Sequence, residues 1–554
     1  MSKCKKNSSH PWWQTTVIYQ IYPRSFKDAT GNGIGDLQGV IEKLDYLSDT
    51  LGVDAIWLSP FYPSPMADFG YDVADYKDVH VLFGDLDTFD NLIEHAHKRE
   101  LKIIIDLVPN HSSDQHPWFV ESRSSQENPK RDWYVWADPK SDSAPPNNWL
   151  SVFGGSAWEW DANSGQYYLH SFLKEQPDLN WRNPDVKDAI FDVVKFWLDR
   201  GVDGFRIDVA HFIMKDPQMR DNPPNESSDL FIHKPLGEYD SQLHLYDKGH
   251  PDVHQVYREL RTYLDTHNPM RDIVSIGEIH IFELDEWAIY YGGRLDEIHL
   301  PFNFTLLKAE WKAADIQRAV EDLEAVLPPG AWPNYVLGNH DESRIASRIG
   351  DKQARIAAML LLTLRGTPTL YYGDELGMKD VTVPVEQQQD PWGIRVPGLG
   401  RDPSRTPMQW SNRLHAGFSS PDAERLWLPT AEDYQVANVN SELEDDKSIL
   451  NLYRRLLAYR RSRQALQIGD YQPLVHVPAE CFVYKRTADD EPSILVALNF
   501  SRDEQIIDIP ELVRSELIIS TNMDRSEIVN TINLKLRGHE GVILEFQLQN
   551  RAAS

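Results

Sequence analysis

The chain has 554 residues, of which 41% are hydrophobic and 25% charged, and both fractions are typical of a globular protein. Its longest apolar run, residues 356–362, is far shorter than the roughly 18 residues that cross a bilayer, so the sequence predicts no membrane segment. The 85 acidic residues outnumber the 56 basic residues and give a net charge of -29, which repels phosphate backbones and excludes nucleic acid as an expected partner.

The start of the chain, MSKCKKNSSH, is polar and is not followed by the apolar stretch of a signal peptide. The two cysteines, Cys4 and Cys481, make neither a zinc set nor a disulfide framework, which agrees with a reducing compartment. We therefore expect a cytoplasmic protein that is a monomer or a homodimer.

Short apolar strands alternate with amphipathic helices over the first 380 residues. The predicted strands cover residues 17–22, 55–59, 102–108, 204–209, 273–279, 296–300, 334–338 and 367–372. A helical crossover returns the chain in the same direction, so the strands pair in parallel, and eight such units close into a (β/α)8 (TIM) barrel of the α/β class. An open doubly wound sheet is the competing arrangement, but no glycine-rich phosphate turn follows the first strand.

Two insertions and a change of pattern interrupt this alternation. Residues 112–180 are rich in Trp, Pro, Asn and Ser and too long for an ordinary loop, so they predict an inserted small domain after the third strand, between barrel segments 1–111 and 181–470. A second insertion covers about residues 374–445. After a helix near residues 448–463, β-rich runs predict a separate antiparallel β domain at residues 471–554.

Polar side chains cluster where the predicted strands end, and in a barrel these ends share one open face. They are Asp106, Asn110 and His111 at the end of the third strand, Arg206 and Asp208 at the end of the fourth, Glu278 at the end of the fifth, and His340 and Asp341 at the end of the seventh. Paired carboxylates facing one pocket suit glycosidic bond cleavage, in which one acid protonates the leaving oxygen and another attacks the carbon. An acid set could instead hold a metal, but the nearby histidine and arginine side chains add positive charge where a hard cation needs oxygen ligands.

Motifs that appear in one order along nearly the whole chain point to a known family. They include DFGYDVADY, DLVPNH, GFRIDVAH, GEIH, GNHDE, YYGDELGM and RTPMQW. With these motifs the sequence resembles the α-amylase superfamily, glycoside hydrolase family 13, and more closely its α-glucosidase and oligo-1,6-glucosidase branch.

The resemblance implies a role for each matching residue. Asp208 would be the nucleophile, Glu278 the general acid and base, and Asp341 the residue that binds sugar hydroxyls and favours distortion of the ring. The implied substrate-binding residues are Asp68, Tyr71, His111, Phe172, Arg206, Val209, His340 and Arg405, with Arg405 beside Asp68. A small oligosaccharide is the expected substrate, and no cofactor is expected for catalysis.

The charges around the two catalytic acids lead to two further expectations. Arg206 lies two residues before Asp208 on the same strand face, so it should lower the pKa of Asp208. Neighbouring carboxylates should raise the pKa of Glu278 and keep it protonated.

The loop at residues 28–36, DATGNGIGD, resembles the divalent-cation loop of the family. By that resemblance Asp28, Asn32, Ile34 and Asp36 would hold a structural Ca2+. Thr30 and Asn32 stand where the family more often has Asn and Asp, and one charge fewer weakens binding. A calcium site and a plain hydrogen-bonded turn are therefore two alternatives.

The leading functional interpretation is an exo-acting, retaining α-glucosidase, because two insertions at the catalytic face can wall the barrel mouth into a blind pocket. A glucosyl-transferring or isomerising relative, such as a sucrose isomerase or trehalose synthase, is the alternative, although no RLDRD-like signature follows GNHDESR. A non-catalytic relative, like the membrane-anchored transporter heavy chains, is disfavoured because all three acids are present. In the family branch, valine at position 209 accompanies α-1,6 cleavage while Ala210 and His211 resemble enzymes acting on maltose, so we expect activity on both maltose and isomaltose.

Overall fold

Eight parallel strands, called β1 to β8, form the centre of the computed structural model, which describes residues 10–226, 236–509, 515–529 and 531–546. They are Ile18–Ile21, Ala55–Leu58, Lys102–Leu107, Gly204–Ile207, Val274–Gly277, Leu300–Asn303, Asn334–Tyr335 and Thr369–Tyr371. Neighbours are hydrogen-bonded in the order β7, β6, β5, β4, β3, β2, β1, β8, and a parallel bridge from Val336 to Thr369 joins the two outer strands. The predicted (β/α)8 barrel is confirmed.

The sixth strand differs from its prediction. We expected residues 296–300, but the strand is Leu300–Asn303 and includes Pro301, which lies opposite Gly277 of β5. Proline lacks an N–H group, so a strand containing it is hard to recognise from sequence. Before this strand the chain turns at Gly292 and Leu295, which both have positive φ, and it becomes extended only after that turn.

Side chains alternate between the barrel interior and the layer of helices. Ile104 of β3 and Ile276 of β5 belong to the interior cluster, whereas Ile105 packs in the larger core outside it. The period of two along a strand therefore turns Asp106 and Glu278, each two residues beyond an inward position, toward the barrel axis at the carboxyl ends of the strands.

Several of the surrounding helices begin at a residue whose side chain caps the first turn. The Asn183 side chain accepts a hydrogen bond from the N–H of Asp185, and Pro184 is the first residue of its helix. Among the described residues, the α-helices of five or more residues are Leu37–Glu42, Leu86–Lys98, Pro117–Ser124, Pro184–Asp199, Val253–His267, Leu284–Ala288, Ala313–Val326, Ile345–Ile349, Asp351–Thr363, Pro391–Arg395, Val439–Glu444 and Ile449–Ser462. Across the same described ranges, no helix has the length and apolar character to cross a membrane.

The other strands form smaller antiparallel sheets. A three-stranded sheet of Trp136–Ala137, Trp158–Asp161 and Gln166–Leu169 lies in the first insertion. The C-terminal sheet has six strands, in the order Asp470–Pro473, Cys481–Thr487, Ser493–Asn499, Gly541–Phe546, Ser515–Ser520 and Ile528–Val529, and a separate pair joins Gln505–Ile507 to Leu534–Leu536. The C-terminal antiparallel β domain is thus confirmed, while the exact domain boundaries stay predictions. Cys481 is buried and free, and Cys4 lies outside the described residues.

Candidate active site

A pocket of about 320 Å³ lies at the carboxyl ends of the barrel strands. The first insertion contributes Val152 and Phe153 to its wall, and the second contributes Trp392 and Arg401. Eight of the residues expected at the site line this pocket, namely Asp68, Tyr71, His111, Phe172, Asp208, Val209, Glu278 and Asp341. The other three, Arg206, His340 and Arg405, lie behind the wall and are each 1% exposed.

Arg206 connects the carboxylates at the centre of the site. Its Nη1 donates to Asp106 Oδ1 and to Asp208 Oδ1, both at 2.7 Å, and its Nη2 lies 2.6 Å from Glu278 Oε2. The backbone N–H of Val209 also donates to Glu278 Oε2, at 3.1 Å. One buried guanidinium group therefore sets the orientation of three acids.

The individual charge effects on the two acids have the expected sign, but the net pKa shifts run in the opposite directions. Burial raises the pKa of Asp208 well above its usual value, against the opposing charge of Arg206. Burial would also raise the pKa of Glu278, but Arg206 and His280 together lower it below its usual value. The reason is geometric, because Glu278 contacts His280 as well as Arg206, whereas the Asp208 carboxylate lies against Arg206 and close to two other acids.

Asp341 lies in a cationic environment. Arg405 Nη2 donates to its Oδ1 at 2.8 Å, and Arg401 Nη1 donates to the same oxygen at 3.2 Å. Burial would raise the pKa of Asp341, but His340 and the two arginines lower it far below its usual range. An ionised carboxylate is a strong acceptor for sugar hydroxyl groups.

The placement of Arg405 beside Asp68 is wrong. Arg401 takes that position, with its Nη2 2.7 Å from Asp68 Oδ1, while Arg405 donates through Nε to the backbone oxygen of His340. Asp390 orients Arg401 by accepting from its Nη2 at 2.7 Å and from its Nε at 3.0 Å. The loop of the second insertion turns back at Asp390, which brings Arg401 rather than Arg405 over the end of the pocket.

Two histidines predicted to bind sugar are neutral at physiological pH. Burial lowers the pKa of His111 to about 4 and the pKa of His340 to about 3. The Tyr71 hydroxyl lies 2.7 Å from His340 Nε2, and the two rings are stacked at 5.5 Å. Phe172 contacts the ring of His111, with 5.2 Å between centroids.

Val209 adopts a strained backbone directly after Asp208. Strand β4 ends at Ile207, and Val209 has a φ of 37°, a left-handed value that is rare for a β-branched residue. The alternation expected along β4 therefore stops before Val209, and its side chain lines the pocket. Such strain costs on the order of 1–3 kcal/mol and persists where the surrounding packing holds it.

The carboxylates of the loop at residues 28–36 accept hydrogen bonds from backbone N–H groups. The Asp28 carboxylate accepts hydrogen bonds from the N–H groups of Gly31 and Gly33, both at 2.7 Å, and the Asp36 carboxylate accepts from three further backbone N–H groups. Asn32 Oδ1 accepts from the N–H of Ile34, within the same turn. These hydrogen bonds form a closed turn, and the calcium site stays a prediction.

Three residues of the site were not assigned a role from the sequence. Asp106 accepts from Arg206 and from Trp57 Nε1, Arg401 joins Asp68 to Asp341, and His280 contacts Glu278. His280 stands two residues after Glu278 in GEIH, and Arg401 stands four residues before Arg405. Their position beside the recognised motifs was therefore the sequence signal from which these three roles could have been predicted.

An eight-stranded barrel with buried, paired carboxylates at its carboxyl ends is an arrangement that suits glycoside hydrolysis. The family model described as "Alpha amylase, catalytic domain" matches residues 20–469. The chain belongs to this α-amylase family.

Several relatives match most of the chain. It is 44% identical over 473 residues to a probable α-glucosidase of Rhizobium meliloti, covering 83% of this chain and 84% of the relative. It is 37% identical to an oligo-1,6-glucosidase of Parageobacillus thermoglucosidasius, covering 97% and 99%. A crystal structure of an α-glucosyl transfer enzyme matches with a TM-score of 0.91 and 42% identity, covering 97% of this chain and all of the other.

Proposed function

We propose that the protein is an exo-acting, retaining α-glucosidase that releases glucose from the non-reducing end of short α-linked oligosaccharides. The closed end of the pocket carries this proposal. Arg401 joins Asp68 to Asp341 there, so the chain of a polysaccharide has no exit on that side. A single terminal glucose fits a pocket closed in this way, and the rest of the substrate lies toward the mouth.

The reaction has two displacement steps. Asp208 attacks the anomeric carbon, the bond to the leaving oxygen breaks, and Glu278 gives that oxygen its proton. Glu278 then removes a proton from water, the water oxygen forms a bond to the anomeric carbon, and the bond between that carbon and Asp208 breaks. Arg206 holds both carboxylates, and Asp341 accepts hydrogen bonds from the sugar hydroxyls.

Glucosyl transfer is the second candidate. The relative of known structure with 42% identity is described as an α-glucosyl transfer enzyme. The pocket is also lined by Phe212, Leu236, Tyr239 and Phe282, which can pack against a second sugar better than they can order water. In transfer, the second sugar takes the place of water in the second step.

Product analysis tests both candidates. The protein is incubated with maltose, isomaltose, maltotriose, sucrose, trehalose and starch, and the products are separated by chromatography. We expect glucose from maltose and isomaltose, and glucose plus maltose as the first products of maltotriose. Rapid internal cleavage of starch would contradict the closed pocket, and conversion of sucrose mainly to an isomer would favour transfer.

A variant of Asp208 supplies the control for the chemistry. Asp208→Ala removes the covalent route, so turnover should fall by several orders of magnitude while the unfolding temperature stays close to that of the parent. Asp188→Ala, an exposed position on the helix Pro184–Asp199, is the matched control and should keep parental activity. A folded Asp208→Ala protein with turnover within about tenfold of the parent would end the assignment.

A further inference from the structure

His280 contacts the side chain proposed as the general acid. Its Nε2 lies 3.0 Å from Glu278 Oε1. The imidazole ring stacks on Phe304, with 4.5 Å between centroids and 5° between planes, which fixes its orientation. The side chain is 37% exposed and lines the pocket, so it also faces the space that a substrate enters.

The two oxygens of Glu278 have different partners. Oε2 accepts from Arg206 Nη2 and from the N–H of Val209, and both donors keep their protons at any pH at which the protein is folded. A proton on Oε2 would face these two donors. The proton that a general acid donates must therefore reside on Oε1, the oxygen that faces His280.

We propose that Glu278 and His280 share one proton, held by His280 in the sugar-free protein and passed to Glu278 when sugar fills the pocket. The N–H bond at Nε2 breaks and an O–H bond forms at Oε1, so an imidazolium and a carboxylate become a neutral imidazole and a carboxylic acid. No proton is taken from solvent. This inference rests on the proposed glucosidase function, in which Glu278 is the acid.

Desolvation supplies the driving force for the transfer. A bound sugar displaces water from the pocket, and an ion pair that loses water becomes less stable relative to a neutral hydrogen-bonded pair. After Glu278 gives its proton to the leaving oxygen, it is a carboxylate beside a neutral imidazole. The proton removed from water in the second step then restores the starting state.

Other charged groups face the pair, and burial raises the pKa of one of them, Asp208, well above its usual value. Arg206, Asp208 and Asp341 face Glu278, His211 lies 6.1 Å from the His280 ring, and Lys248 lies near His211. Burial lowers the pKa of His211 well below its usual value, so it stays neutral.

Two substitutions separate proton sharing from positioning. His280→Gln keeps an N–H donor near Glu278 but cannot ionise, and His280→Phe keeps the stacking on Phe304 but has no ring nitrogen. The dependence of kcat/KM on pH is measured for both variants with maltose and with an aryl α-glucoside. His254→Gln is the matched control, because His254 contacts the Glu297 carboxylate at 2.8 Å outside the pocket.

In both His280 variants we expect the basic limb of the pH profile of kcat/KM to shift to lower pH by about 1 to 2 units, toward the range of an isolated carboxylic acid. In the His254→Gln control the basic limb should stay at the pH of the parent. A basic limb in His280→Gln equal to that of the parent would overturn the proposal and leave a positioning role. If the parent hydrolyses no α-glucoside, the proposed function fails instead, so the two failures are distinguishable.

An NMR measurement tests the same idea without changing His280. In Asp208→Ala protein labelled with 15N at histidine, the His280 nitrogens should change from the imidazolium to the neutral pattern when saturating maltose is added at constant pH. An imidazolium that persists with bound maltose would overturn the proposal. Thermal unfolding of all variants identifies any loss that comes from misfolding.

Discussion

Arg401 is the residue on which the closed end of the pocket depends most, and Arg401→Ala removes it. The side chain is 6% exposed and donates to the carboxylates of Asp68, Asp341 and Asp390. Removing one partner of a buried ion pair costs about 3–5 kcal/mol, because the remaining charge is buried without compensation. We therefore expect the free energy of unfolding to fall by about that amount.

The same change should weaken sugar binding. Burial raises the pKa of Asp68 to about 6 even with Arg401 in place. The loss of Arg401 should raise the pKa of Asp68 further, so that Asp68 is protonated at neutral pH. A protonated Asp68 is a poorer acceptor for a sugar hydroxyl. Losing one charge-assisted hydrogen bond of about 1.5–3 kcal/mol should raise KM by roughly 10- to 150-fold.

The stability of the Arg401→Ala protein should also depend on pH in a defined direction. A carboxyl group whose folded pKa is raised above its unfolded pKa binds its proton more tightly in the folded state, so it stabilises the fold as pH falls. The variant should therefore recover part of its lost stability between pH 8 and pH 5.

Guanidinium chloride unfolding at several pH values and steady-state kinetics with an aryl α-glucoside measure these effects. Arg318→Ala is the matched control, because its side chain is 68% exposed and lies 3.5 Å from Asp315. Exposed pairs contribute about 0–1 kcal/mol, so this control should be close to the parent. An Arg401→Ala protein with parental KM and unfolding within about 1 kcal/mol of the parent would refute the reasoning.

Three further predictions concern the acid, the linkage and the loop at residues 28–36. Glu278→Gln should lose more activity on maltose than on aryl glucosides with good leaving groups, which need less protonation, and equal losses would count against its role. Val209→Thr keeps a β-branched side chain at φ 37° and should shift the ratio of kcat/KM values toward maltose over isomaltose, by at most about 10- to 200-fold; an unchanged or reversed ratio would show that Val209 does not set linkage. Removing divalent cations with a chelator should leave the unfolding temperature unchanged, because backbone N–H groups already satisfy Asp28 and Asp36, whereas a drop reversed by Ca2+ would restore the calcium site.

The parts of the fold that follow from periodic patterns were predictable. Strand and helix periods predicted the barrel, and the position of Asp208 and Glu278 at strand ends predicted that they converge. Strand β6 was misplaced because Pro301 hides its extended character. The strain at Val209 was not visible either, since residue type alone does not show that β4 ends at Ile207.

The details of the site depend on loop paths and on single atoms. Two arginines four residues apart, Arg401 and Arg405, are equally good partners for Asp68 in the sequence, and only the turn at Asp390 decides between them. The pKa directions of the two acids depend on which oxygens Arg206 contacts, and on the ring of His280 beside Glu278. Neither can be obtained from spacing along the chain.

The configuration of the first glucose released tests the central proposal most directly. Two successive displacements at the anomeric carbon, with Asp208 as nucleophile, return it to its starting configuration. Proton NMR of the hydrolysis of maltose, recorded before mutarotation, should therefore show α-glucose first. Initial release of β-glucose would mean a single displacement by water and would contradict the nucleophilic role of Asp208.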